Sequence, residues 1–215
     1  MKKKKVLVIV AHPDDETIWL GGTLIRNKDK WDTTIISLCR ANDSDRAPKF
    51  RQVCDELNAK SFMSDLDDEE LNKVDSGEII RRIKQFAIEN YDYIFTHGED
   101  GEYGHIRHIE TNMAVRKMID EGLLKARKIF FFFYIKKQAE GTDTGFDSYP
   151  DRSANKFIKL NKLEFLNKKF LIENIYGFKK DSFEERSCRR EESFKIQKLK
   201  ISGTSNLKSI NLKNI

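Results

Sequence analysis

The chain has 215 residues, 39% of them hydrophobic and 35% charged, with a formal net charge of +5. That content suits one α/β domain with a sizeable core, and no run approaches the roughly 18–20 apolar residues of a membrane span. The charge is uneven: residues 151–215 carry 16 Lys/Arg against 8 Asp/Glu, a net of +8, which leaves residues 1–150 at 24 against 27, or −3.

The chain opens on Lys2–Lys5 and the apolar run Val6–Val10. That run is too short for a secretory leader, whose apolar region needs roughly 7–15 residues, and it reads instead as a buried strand over about 5–11. Ala11-His12-Pro13-Asp14-Asp15-Glu16 follows, leading into a helix over about 15–28. Gly21 and Gly22 on that helix are expected to allow close packing against a sheet, and Glu16 to be a carboxylate favoured by the helix dipole. Further strands are expected at about 33–39, 60–63, 92–97 and 128–135, and helices at about 47–58, 76–90 and 106–121. Gly141–Pro150 is the clearest breaker-rich stretch, either a loop near the site or the entrance to the last segment. Residues 155–200 are Lys-rich but hold enough apolar residues to pack a helix on a sheet. The expected domain is therefore 1–200, with its core over about 5–135, followed by a polar tail at 201–215.

Strand and helix in alternation imply a Rossmann-like α/β fold, a mostly parallel sheet with helices on both faces, plus a C-terminal helical and basic segment. Right-handed crossovers set the post-strand loops along one edge, where such sheets bind ligands. All four histidines lie in or beside two such loops: His12 in the first, and His97, His105 and His108 in Thr96–His108. Adjacent carboxylates at the turn of Asp14 and Asp15 point in different directions, so one can bind a metal while the other faces its water. His105 and His108 share one face of a helix start. Two imidazoles and one carboxylate leave space for water, as in a catalytic zinc site. Each element alone has a plainer reading, a capped turn or solvent-facing histidines; together, at the ligand edge of a sheet, they point to a mononuclear metal hydrolase. Cys39, Cys54 and Cys188 include no CxxC pair and fit a reducing, cytoplasmic setting, with Cys39 and Cys54 expected buried on a strand and a helix.

Val10 to Thr23, Val-Ala-His-Pro-Asp-Asp-Glu-x-x-x-x-Gly-Gly-Thr, resembles the signature of the PIG-L/LmbE-like N-deacetylase family, and Gly101–His108 resembles its second motif. Arg46, ahead of Leu57-Asn58, resembles the family's Arg…Leu-Gly segment, and Glu191-Glu192-Ser193-Phe194 is loosely similar in the tail. The resemblance implies one zinc ion held by His12, Asp15 and His108, with Asp14 as general base, a protonated His105 stabilising the oxyanion and Arg46 contacting substrate. It implies removal of an N-acetyl group from an amino sugar or an N-acetylglucosamine-containing conjugate. The chain departs from the pattern in three places. Ile106-Arg107 stands where many members have Pro-Asp, whose Asp can orient the first histidine of that motif; Lys49 replaces a Glu; and Asn58 replaces the Gly, a residue still able to end a helix at positive φ. Arg107 then reads either as a contact for an anionic substrate or as a surface residue.

His97, at a strand end, reads as a partner of Asp14 or of a ligand, or as a structural histidine. Asn42, Asp43 and Asp45 read as sugar contacts or a polar turn, and the pocket walls are expected from loops at about 40–48, 98–104 and 138–152. Two rivals remain: an Fe(II) oxidative enzyme using the same two histidines and carboxylate, and a non-catalytic binder of nucleic acid or another anionic ligand through the basic tail. No nucleic-acid recognition motif is present, and the resemblance implies a small amino-sugar substrate as the partner. Oligomeric state does not follow from the sequence.

Overall fold

A computed structural model describes residues 2–87 and 90–199; the expected polar tail at 201–215 lies outside the described residues. Five strands run parallel: β1 (Lys4–Val10), β2 (Trp31–Cys39), β3 (Ala59–Leu66), β4 (Asn90–Thr96) and β5 (Lys125–Phe132). They lie in the order β3-β2-β1-β4-β5. Between them come the helices α1 (Asp15–Asn27), α2 (Arg46–Glu56), α3 (Ser76–Lys84), the four-residue α4 (Gly101–Gly104) and α5 (Ile106–Asp120). Val6 to Val10 are wholly buried because β1 lies between β2 and β4 and is covered on both faces. Val6, Val8 and Val10 pack with Ile18, Leu20 and Phe50 on one side, and Leu7 and Ile9 with Ile79, Ile83 and Val115 on the other. The strand order reverses between β1 and β4, and a crevice opens there at the carboxyl ends of the strands. His12 follows β1 and His97 follows β4.

Three boundaries differ from the sequence reading. Helix α3 ends at Lys84, and Phe86 leaves it to stack on Phe62 with ring centroids 4.9 Å apart. Helix α2 ends at Glu56, where Asn58 takes φ 52° in the place of a terminal glycine. The aromatic run at 128–135 is divided. Strand β5 stops at Phe132, and Tyr134 begins β6 (Tyr134–Gln138), which pairs with β7 (Phe146–Pro150) as a hairpin whose turn is the Gly-rich stretch.

The basic C-terminal segment holds more than a helix. Strand β8 (Lys156–Lys159), helix α6 (Lys162–Phe170), a π-helical turn (Leu171–Ile175), helix α7 (Phe183–Ser187) and β9 (Glu191–Lys198) follow in turn. Strand β9 pairs antiparallel with β5, and β8 with β9, giving seven strands in order β3-β2-β1-β4-β5-β9-β8. Helix α6 starts on a capping box between Asn161 and Glu164.

This segment is fastened to α1. The fully buried Glu192 accepts the backbone N–H groups of Gly22 and Thr23 at 2.8 and 3.0 Å and receives the buried Lys168 ammonium at 2.8 Å. The glycine pair allows this close approach to β9 of the sheet and to α6: a methyl group on Gly22 would overlap the Leu160 side chain, and one on Gly21 would press on Thr17 and Lys168. Gly22→Ala is expected to cost about 1–3 kcal/mol by overpacking, read by urea unfolding, with Leu160→Ala recovering part of the loss. A Gly22→Ala chain as stable as the parent would contradict this close approach.

Candidate active site

Three polar atoms converge at the crevice. His12 Nδ1 lies 3.2 Å from His108 Nε2 and 3.2 Å from Asp15 Oδ2, and His108 Nε2 lies 3.3 Å from Asp15 Oδ2. His12 lies in the turn after β1, Asp15 opens α1 and His108 lies on the first turn of α5. Asp15 is held from both sides: Oδ2 accepts the His12 backbone N–H at 2.9 Å and Oδ1 accepts the Trp19 indole N–H at 3.0 Å. A tetrahedral zinc with bonds of roughly 2.0–2.2 Å sets its ligand atoms roughly 3.3 Å apart. The two imidazoles and the carboxylate therefore fit a zinc ion by chemistry and by spacing.

Hydrogen bonds set each imidazole's tautomer. His12 Nε2 lies 2.8 Å from Asp68 Oδ1, and His108 Nδ1 lies 2.6 Å from Glu102 Oε2. A carboxylate accepts only, so each ring donates its distant N–H and turns an unprotonated nitrogen to the centre. His97 donates Nδ1–H to Glu102 at 2.8 Å and accepts the Ala11 backbone N–H on Nε2 at 2.9 Å. It is not a partner of Asp14. It stacks on His108 at 3.9 Å between centroids and sits 3.5 Å from Asp15. With both nitrogens engaged it supports the ligands, although Asp15, His97 and His108 bring donor atoms within 4.8 Å of one another. The sets His12, His105, His108 and His12, Cys39, Asp68 also converge within 4.8 Å. The trio of His12, Asp15 and His108, at 3.2–3.3 Å, matches the spacing of tetrahedral zinc and leaves Asp68 free to accept from His12.

Asp14 adopts φ 114°, a costly conformation for a side-chain-bearing residue. Its carbonyl accepts the N–H groups of Thr17 and Ile18, and its own N–H donates to Glu16 Oε2 at 3.0 Å. Glu16 also accepts the Thr17 and Tyr176 hydroxyls and is buried, which pushes its carboxyl up to about 7. Its role is thus to hold the turn from beneath. Burial and the Asp15 charge raise the Asp14 carboxyl well above its ordinary value, and Arg46 partly offsets them. Arg46 donates to Asp14 Oδ2 at 3.1 Å with its guanidinium 4.2 Å from the Phe178 ring centroid.

His105 caps α5, and its Nδ1 accepts the Arg107 N–H at 3.3 Å, so Nε2 carries the hydrogen. Burial, together with His108 and His12, lowers its pKa to about 3. That direction favours a neutral ring where the resemblance implies a protonated one. Arg107 is neither a substrate contact nor a surface residue: it is fully buried.

A cavity of about 190 Å³ lies over this centre, lined in part by Asp14, Arg40, Arg46, Asp68, Tyr103 and His105. The loops at 40–48 and 98–104 contribute as expected, but the stretch at 138–152 does not, and α7 supplies Phe183 and Glu184 instead. Asn42, Asp43 and Asp45 form a polar turn: Asp43 Oδ1 accepts the N–H groups of Asp45 and Arg46 at the start of α2. Cys39, Cys54 and Cys188 are free and buried.

The profile of the family described as PIG-L, GlcNAc-PI de-N-acetylase, matches residues 7–119, more than half of the 215. The chain belongs to the PIG-L family. A search of curated proteins found no match. Among solved structures this PIG-L chain is similar to N,N'-diacetylchitobiose deacetylase from Pyrococcus horikoshii, at 18% identity and a TM-score of 0.64, over 91% of this chain and 84% of that one. It is also similar to the conserved protein TT1542 from Thermus thermophilus (16%, TM-score 0.59, over 80% and 78%). A third is GalB, the 4-carboxy-2-hydroxymuconate hydratase of Pseudomonas putida KT2440 (13%, TM-score 0.62, over 95% and 99%). A deacetylase and a hydratase share this fold, so the fold alone does not select the reaction.

Glu102 and Asp68 escaped the sequence reading, one inside a motif whose histidines drew attention and one in an acidic run. Burial alone would raise the Glu102 carboxyl, but His97 and His108 outweigh it and hold it at about 2 against an ordinary 4.5. A carboxyl depressed in the folded state stabilises the protein above its ordinary value and loses that contribution as pH falls through the folded one. Glu102→Gln should therefore flatten the fall in unfolding free energy of the metal-free protein between pH 4.5 and 2. An acid limb parallel to that of the parent would contradict the assignment.

Proposed function

We propose that this PIG-L member is a zinc-dependent amidohydrolase that removes an N-acetyl group from an amino sugar or an N-acetylglucosamine-containing conjugate. The observation that carries the reading is the spacing of His12 Nδ1, Asp15 Oδ2 and His108 Nε2. These residues would hold one zinc ion per chain. When bound, zinc supplies a Lewis acid that polarises an acyl oxygen and lowers the pKa of water to about 7. The family description and the deacetylase neighbour support amide hydrolysis over iron-dependent oxidation. No helix among the described residues is long and apolar enough to cross a membrane. The three free, buried cysteines support a reducing, cytoplasmic setting.

Asp14 is the general base, accepting the proton of the attacking water at its carboxylate; its raised pKa brings it toward the range in which a base works best. His105 donates Nε2–H to the developing oxyanion, a role that a neutral imidazole fills. Such a ring has no proton to spare for the departing amine, so Asp14 returns the proton it took. Arg46, braced on Phe178, meets the substrate beside Asp14.

Acetate release from N-acetylglucosamine conjugates tests the reading. Asp14→Asn should keep zinc and lose at least about 100-fold in rate; normal turnover would remove Asp14 as the base. His108→Ala should lose zinc on dialysis, and unchanged occupancy would strike His108 from the ligand set.

A further inference from the structure

We infer that Asp68 and Arg107 act together as positioning residues for His12, a role that rests on the zinc reading above. Asp68 lies just after β3, with its carboxylate nearly buried between two partners: Oδ1 takes His12 Nε2 at 2.8 Å and Oδ2 takes Arg40 Nη2 at 2.8 Å. The chain from Asp67 to Asp75 has no helix or strand of its own, so something outside it must hold Asp68 in place.

Arg107 does so. Its guanidinium is fully buried and aims at that segment: Nε donates to the Asp67 carbonyl at 2.5 Å, Nη2 to the Asp67 carboxylate at 3.1 Å and Nη1 to the Asn72 carbonyl at 2.8 Å. Nη1 also pairs with Glu110 at 2.7 Å, and Glu110 accepts the Val74 N–H at 2.8 Å. Both ends of the segment are thus tied to the start of α5, which carries His108. Arg107 stands where the resemblance expected an aspartate to orient His105. A guanidinium has no acceptor and cannot do that. It anchors instead an acidic segment whose next residue orients a different imidazole, His12. The N–H to carboxylate bond selects the tautomer with Nδ1 unprotonated and makes that nitrogen more basic.

Zinc affinity of the folded full chain, read by competition with a chromophoric chelator, tests this, alongside the visible spectrum of the cobalt(II) form. Asp68→Asn preserves shape but withdraws the anionic acceptor, and it should weaken zinc about 10–100-fold and shift the cobalt bands. Arg107→Lys keeps the charge but cannot span Asp67, Asn72 and Glu110. It should weaken zinc in the same direction, and the double variant should lose less than the product of the two singles. Asp68→Asn with zinc affinity within about twofold of the parent and an unchanged cobalt spectrum would overturn the inference, and that variant decides alone if Arg107→Lys does not fold. A folded parent chain that binds no zinc would instead overturn the zinc reading, and this inference with it.

Discussion

Two unprotonated imidazole nitrogens and a carboxylate oxygen held 3.2–3.3 Å apart repel one another unless positive charge lies among them. Protons can supply that charge. Burial lowers the pKa of His12 and of His108, but the surrounding carboxylates outweigh it and raise both above the ordinary value. A metal ion can supply it too, and then the protons leave. Much of the molecule serves to maintain this arrangement: Glu102 and Asp68 behind the imidazoles, Trp19 and the His12 amide on Asp15, and the Glu16 brace under the strained Asp14 turn.

The C-terminal segment belongs to the same construction. Glu192 and Lys168 form a buried ion pair, a costly device unless fully hydrogen-bonded, and here the carboxylate also takes two amides and a hydroxyl of α1. The helix that begins with Asp15 is thereby fixed to β9 and α6. Tyr134, at the start of the β6–β7 hairpin, donates to the Trp19 carbonyl and adds a second tie. The basic character of the segment is partly consumed within the molecule: Arg186 and Arg189 both pair with Asp147 of β7, and Lys168 with Glu192. The surplus of positive charge is thus a poor guide to an anionic partner.

Strands β1, β2 and β5 were legible because burial on both faces demands continuous apolar or β-branched runs, as in Val6–Val10. The site was legible in outline because His12, Asp15 and His108 sit in two short motifs that the topology brings to one edge. Strand β9 was not, since Glu191, Glu192, Lys195 and Lys198 read as solvated charge, and only the fold shows that Glu192 is buried against α1. Arg107 misled for the same reason: a buried arginine is recognisable only once Asp67, Asn72 and Glu110 are assembled around it. Asp68 is one of several carboxylates between Asp65 and Glu70, and nothing local marks it as the one that reaches His12.

The central claim is that zinc is held by two imidazoles and the Asp15 carboxylate. The most direct measurement is the X-ray absorption spectrum at the zinc edge of the zinc-loaded chain. Only nitrogen and oxygen neighbours at roughly 2.0–2.2 Å are expected, with the multiple-scattering signature of two imidazoles. A sulfur neighbour at about 2.3 Å would contradict it and shift the ion to the His12, Cys39 and Asp68 set.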